Sequence, residues 1–129
     1  MEQSMDPPQE FKPIRYFRKL TLTYEILLSS EFRSLSKASR DVYIIFLYKR
    51  EIKSSKGNGK PAKVANNGRI QFTENEAIKK WKIPKNTFWR AIKELKEAKM
   101  IELVHKGFGS NHDANMYGLV GKFNGLVSW

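Results

Sequence analysis

The chain has 129 residues, with 24 Lys and Arg against 13 Asp and Glu, a formal net charge of +11 and no cysteine. That length is one domain with a single core of ordinary size, and 40% apolar with 29% charged residues fits a folded chain rather than a disordered one. Disulfides and thiolate metal sites are excluded, and the longest apolar run, Val42 to Tyr48, is far too short to span a bilayer.

Residues 1–10 (MEQSMDPPQE) read as a flexible tail without the apolar segment of a secretory signal, so the expectation is a cytoplasmic protein. Residues 11–35 mix an extended start with a short helical piece around Tyr24 to Leu28. Ser36 is a fitting N-cap for a helix over 37–52, whose apolar positions (Ala38, Val42, Tyr43, Ile45, Phe46, Leu47) cover most of its circumference. A helix apolar on several sides is packed by more than one neighbour. Residues 53–69 carry five basic side chains, no acid, and Gly, Asn, Ser and Pro, which predicts a basic loop.

Arg69 to Phe72 alternates as a very short strand. Thr73 and Glu76 then have the spacing of a capping box, in which Glu76 reaches back to the Thr73 amide. The helix behind them puts Ala77, Ile78 and Trp81 on one side and ends near Lys82, because Pro84 disfavours helical geometry at Ile83. A second helix runs from Lys85 to Ala98. Residues 101–106 and 116–120 are apolar-alternating runs around a Gly/Asn-rich loop, the pattern of a β-hairpin with a long tip. The remaining tail is apolar enough to dock on the body. The fold class is therefore α+β and mostly helical.

The charge is unevenly spread. Residues 1–53 hold ten basic and seven acidic side chains, whereas residues 54–129 hold fourteen and six. A basic surplus in one half points to a polyanionic partner. On the helix starting at Lys85, Phe88, Ala91, Ile92, Leu95 and Ala98 share one stripe, while Asn86, Trp89, Arg90 and Lys93 lie away from it at i, i+3, i+4 and i+7. Lys and Arg neutralise phosphates, and Arg and Asn make paired hydrogen bonds to guanine and adenine edges. The plain alternative is a solvated helix face, with Trp89 packed against the tail or a partner.

The run Asn75 to Leu103, followed by a hairpin, resembles a winged helix-turn-helix DNA-binding domain of the kind found in bacterial transcriptional regulators and phage- and plasmid-type replication initiators. Lys85, Asn86, Thr87, Arg90, Lys93, Glu94 and Leu95 match the family's recognition helix. The resemblance covers residues 70–120, with 37–52 as the first helix, 73–98 as the helix-turn-helix and 101–120 as the wing, within a single domain over 11–129. It implies a three-helix core with a β-hairpin wing and a short extra strand, and sequence-specific binding of double-stranded DNA in transcriptional regulation or replication initiation. Lys85, Asn86, Thr87, Trp89, Arg90, Lys93 and Lys106 would form the interface, which makes the protein nucleoid-associated.

The chain departs from the family pattern at three structural positions. Lys82 and Lys99 stand where glycine is usual, which implies a left-handed backbone at Lys82, and Pro84 stands where a Ser or Thr cap is usual.

Two other readings compete. One is a protein-interaction module of a replication or regulatory complex, docking through Trp89 and the apolar tail. The other is an RNA-binding role. Catalysis is not expected: KGNGKP (Lys56 to Pro61) lacks the glycine spacing and the hydroxyl residue of a phosphate loop, and no nucleophile-base set or carboxylate pair stands out. His105 and His112 flank the hairpin tip without other ligands beside them, so no metal is expected, nor is a cofactor, a small-molecule ligand or a membrane contact. A homodimer is compatible with this reading and would use the N-terminal segment or the tail.

Overall fold

The computed structural model describes residues 14–17, 20–55, 62–108 and 113–126; the expected tail over 1–10, the KGNG stretch and His112 lie outside them. Among the described residues the fold is α+β, with five α-helices and two small antiparallel sheets. In chain order these are β1 (Ile14–Phe17), α1 (Tyr24–Leu28), α2 (Ser30–Arg33), α3 (Lys37–Tyr48), β2 (Ile52–Ser55), β3 (Lys63–Val64), α4 (Glu74–Lys79), α5 (Lys85–Glu97), β4 (Ile101–His105) and β5 (Met116–Leu119). A 3₁₀ turn over Gly121–Asn124 follows. No helix among the described residues is long and apolar enough to cross a membrane.

Helix starts are set by hydroxyl caps. Thr23, Ser29, Ser36 and Thr73 each accept the amide three residues on, at 3.2, 3.1, 3.3 and 3.1 Å. Pro84 starts α5 with no side-chain cap. The capping-box expectation holds only by half. The Glu76 carboxylate is turned not to the Thr73 amide but to Lys49, at 2.8 and 2.7 Å, and to the Trp81 indole at 3.1 Å. An ammonium draws the carboxylate more strongly than a neutral amide does.

The two lysines at glycine-like positions do adopt positive φ, 58° at Lys82 and 59° at Lys99. At Lys99 this allows Met100 N–H to reach the Leu95 carbonyl and Lys99 N–H the Lys96 carbonyl, both at 3.0 Å. That pair of bonds is the Schellman ending of a helix. At Lys82 it lets Ile83 N–H reach Ala77 O at 2.9 Å, so α4 closes at Lys79, a turn earlier than the expected Lys82.

α3 is the central helix. Val42, Tyr43, Ile45, Phe46 and Leu47 are buried in one core with Phe72, Phe88, Ile92, Leu95, Tyr117 and Phe123. Edge-to-face aromatic pairs join Tyr117 to Phe46, Phe46 to Phe72, Phe72 to Phe88 and Phe88 to Trp89, with centroids 5.4, 5.4, 5.0 and 4.9 Å apart. This chain of rings runs from the β4–β5 hairpin through the core to the surface of α5. Ile78, expected beside Ala77 and Trp81, instead stands largely in solvent, because the short α4 buries only Ala77.

The helix expected over 37–52 ends at Tyr48. Lys49 N–H and the Arg50 Nε take up its last carbonyls, and Ile52 is buried in β2. The expected basic loop over 53–69 is also partly built. β2 pairs antiparallel with β1, Ile14 opposite Ser55 and Phe17 opposite Ile52, and with β3, Ile52 opposite Val64. Past β3 two side-chain amides replace strand pairing. Asn66 accepts from Glu51 N–H and donates to Lys49 O, at 2.9 and 3.1 Å. Asn67 accepts from Leu119 N–H and donates to Leu119 O, at 2.7 and 3.1 Å. The short strand expected at 69–72 is a single bridge, Ile70 to Tyr117, on the outer edge of β5.

Candidate functional site

α5 presents its core stripe of Phe88, Ala91, Ile92 and Leu95 inward, and Lys85, Asn86, Arg90 and Lys93 lie exposed. Successive residues rotate by roughly 100°, which brings Asn86, Arg90, Lys93 and Glu97 onto the outward ridge. Thr87 and Trp89 differ by roughly 200° and occupy opposite flanks. The structure therefore does not gather all seven expected residues on one face. Thr87 is half-buried on the flank away from Trp89.

Trp89 does lie outside the core stripe, but it is neither free nor packed on the described part of the tail. Its Nε1 donates to Glu74 Oε1 at 2.7 Å, and it keeps 38% of its surface exposed. It lines an open cleft of about 660 Å³ together with Gln71, Glu74 and Asn75 and with Lys106, Gly107 and Phe108 of the hairpin. Trp89 and Lys106, predicted separately, thus meet in one cleft. Phe108, which the sequence reading passed over, stands almost entirely in water. An aromatic flanked by glycines in an otherwise polar loop was the available signal.

Charge is divided sharply over residues 73–99, which hold eight basic and four acidic side chains. Three of the acids are tied to protein donors. Glu74 takes the Trp89 indole, Glu76 takes Lys49 and Trp81, and Glu94 takes the hydroxyls of Ser36, at 3.0 Å, and Ser39. Those hydroxyls, Ser39 first, hold the Glu94 carboxyl below its ordinary range against the opposing effect of burial. Only Glu97 remains on the outward ridge. Among the described residues Lys85, Arg90, Lys93, Lys96, Lys99 and Lys106 form no salt bridge. α5 also begins with no acid in its first turn, unlike α1, α2 and α4, so its uncapped amides and Lys85 add positive potential at the same end.

The hairpin opposite is fastened below its tip. Asp113 pairs with His105 Nε2 at 2.6 Å and accepts Phe108 N–H at 3.1 Å, while Asn115 accepts Gly107 N–H at 2.8 Å. The His105 hydrogen bond, foremost, lowers the Asp113 pKa. An irregularity between Leu103 and His105 adds one residue to β4 and bends the strand. Among the described residues no group of three or more His, Cys, Asp or Glu could hold a metal ion.

No protein-family model, curated protein or solved structure matches the chain.

Proposed function

We propose that this chain is a winged helix-turn-helix domain that binds double-stranded DNA sequence-specifically, in transcriptional regulation or replication initiation. In this reading α3, α4 and α5 are the three-helix core, β4 and β5 with the Ile70 bridge are the wing, and α5 enters the major groove. Asn86, Arg90 and Lys93 read base edges or bind flanking phosphates. Lys85, Thr87 and Lys106 contact backbone, and Trp89 lines the same cleft as Lys106.

The observation that carries the reading is the division of charge over 73–99. Three of the four acids are drawn into hydrogen bonds with the protein's own side chains, while among the described residues the cations of α5 have no carboxylate partners. A surface that was only solubilising would have no need to separate them. Selection of bound duplexes from a random pool tests it: enrichment of a shared site is expected. Recovery of unenriched sequences, with no affinity at low salt, would contradict it.

A second reading keeps the fold and replaces DNA with a protein partner. Its support is α1, where Tyr24, Leu27 and Leu28 stand exposed, Tyr24 by 76%. Within the described part of the tail, Phe123 is buried against Tyr43 and so is not offered to a partner. A second copy of the chain docking there would give the homodimer.

A further inference from the structure

We propose that Phe108 is a wedge that inserts between stacked base pairs when the domain engages DNA, so that the hairpin unstacks and bends the duplex rather than only resting on it. This rests on the DNA-binding reading above.

Phe108 is 92% exposed, more than any other large apolar side chain described. Folding gives no return for that exposure, since the ring touches none of the core. Yet its backbone is not loose. Asp113 holds the Phe108 amide, Asn115 holds the Gly107 amide, and the two strands come so close at Gly107 that a Cβ there would collide with the Asp113 carbonyl. His105 fixes Asp113 from the other side of the rung. The ring is thus displayed from a braced rung, which lowers the entropy lost when it is driven into a confined space.

Its surroundings select the ligand. Lys106 lies two positions earlier and exposed, and Phe108, Lys106 and Trp89 line the same open cleft of about 660 Å³. With α5 in the major groove, the strand bounding that groove would cross this cleft, and the hairpin would reach the adjoining minor groove. Apolar side chains inserted there from basic surfaces part a base step and kink the duplex. A ring flanked by a cation suits that use, because the ammonium binds phosphate while the ring takes the place of a stacked neighbour.

The experiment uses a duplex bound by the wild-type protein, scanned with 2-aminopurine at successive steps. Saturation with wild type should raise the fluorescence at one step or two adjoining ones. Phe108→Ala, which removes no buried contact, should abolish that rise and weaken binding about tenfold, the scale of a lost base-aromatic contact. If wild type saturates the duplex with no rise at any step, or if Phe108→Ala matches wild type in both readouts, the wedge is refuted while DNA binding stands. If wild type binds no duplex at all, the functional reading fails and the wedge with it.

Discussion

Arg50 lies wholly out of water at the end of α3. Its guanidinium donates to the Leu47 and Asn124 carbonyls, at 2.7 and 2.8 Å, and to the Thr21 hydroxyl at 3.1 Å. One side chain therefore binds the central helix to a segment before it and to the turn that follows β5. Burial lowers its pKa and raises that of Tyr43, whose hydroxyl donates to the Phe123 carbonyl at 2.7 Å. Gly125, at φ 79°, passes so close that a Cβ there would meet the guanidinium. Arg50→Ala leaves carbonyls without donors and opens a void, so the unfolding free energy from urea titration should fall by about 3 kcal/mol. Arg50→Lys should recover little of it, because an ammonium cannot reproduce the fork. A loss under about 0.5 kcal/mol in both would contradict this role.

Glu94 is fastened in its charged form by two hydroxyls of the α3 start. Its folded pKa lies below the ordinary 4.5 because the Ser39 and Ser36 hydroxyls bond the carboxylate. The charged form is thus favoured by the fold, and its contribution is complete above pH 4.5 and lost as pH falls through the lower folded value. Glu94→Gln should cost about 1 kcal/mol near neutrality. Its deficit should shrink as pH falls through that lowered value, where the wild-type carboxyl takes up its proton. A deficit independent of pH would mean that the charge is irrelevant to the contact.

At the scale of elements, α5 and its ends were the most legible part of the sequence. Its apolar stripe repeats over three turns, and the period alone separates Phe88 and Ile92 from Arg90 and Lys93. The glycine-like positions of Lys82 and Lys99 could also be inferred, and Lys99 offers a test. A left-handed backbone costs a residue with a Cβ about 1 kcal/mol. Lys99→Gly should therefore raise stability by about that amount, read as a higher midpoint in thermal unfolding; an unchanged or lowered midpoint would argue against strain at that cap.

What escaped the sequence is nearly all long-range. β1 pairs with β2 across some forty residues, Ile14 opposite Ser55, and strands of four and two residues are too short for alternation to show. Asn66 and Asn67 sit in a run whose composition reads as loop, yet their amides do the work of strand backbone. Local pattern encodes which face of α5 is buried. It does not encode that Glu74, fifteen positions earlier, will hold the Trp89 indole, nor that the hairpin will bring Lys106 across from it.

At the scale of the whole molecule the surplus of positive charge becomes directional. Glu74, Glu76 and Glu94 serve as internal fastenings of α4 and α5, so these acids stabilise the unit and leave Arg90 and Lys93 on the outward ridge with Glu97 as its one acid. The aromatic chain from Tyr117 through the core to the half-exposed Trp89 couples the hairpin to α5. The exposed and buried faces of α5 in the candidate site are thus legible in the sequence as periodicity. The shape of the site depends on how the hairpin is mounted.

The most direct measurement of the central claim is duplex affinity as a function of salt concentration, for wild type and for Arg90→Ala combined with Lys93→Ala. Each phosphate contact adds about 0.9 to the slope of log K against log salt. The wild type should show a steep slope, and the double variant should bind more weakly with the slope reduced by about 1 to 2, depending on which cations bind phosphate and which bind bases. Identical affinity and slope in the two proteins would contradict the assignment of α5 as the DNA-binding face.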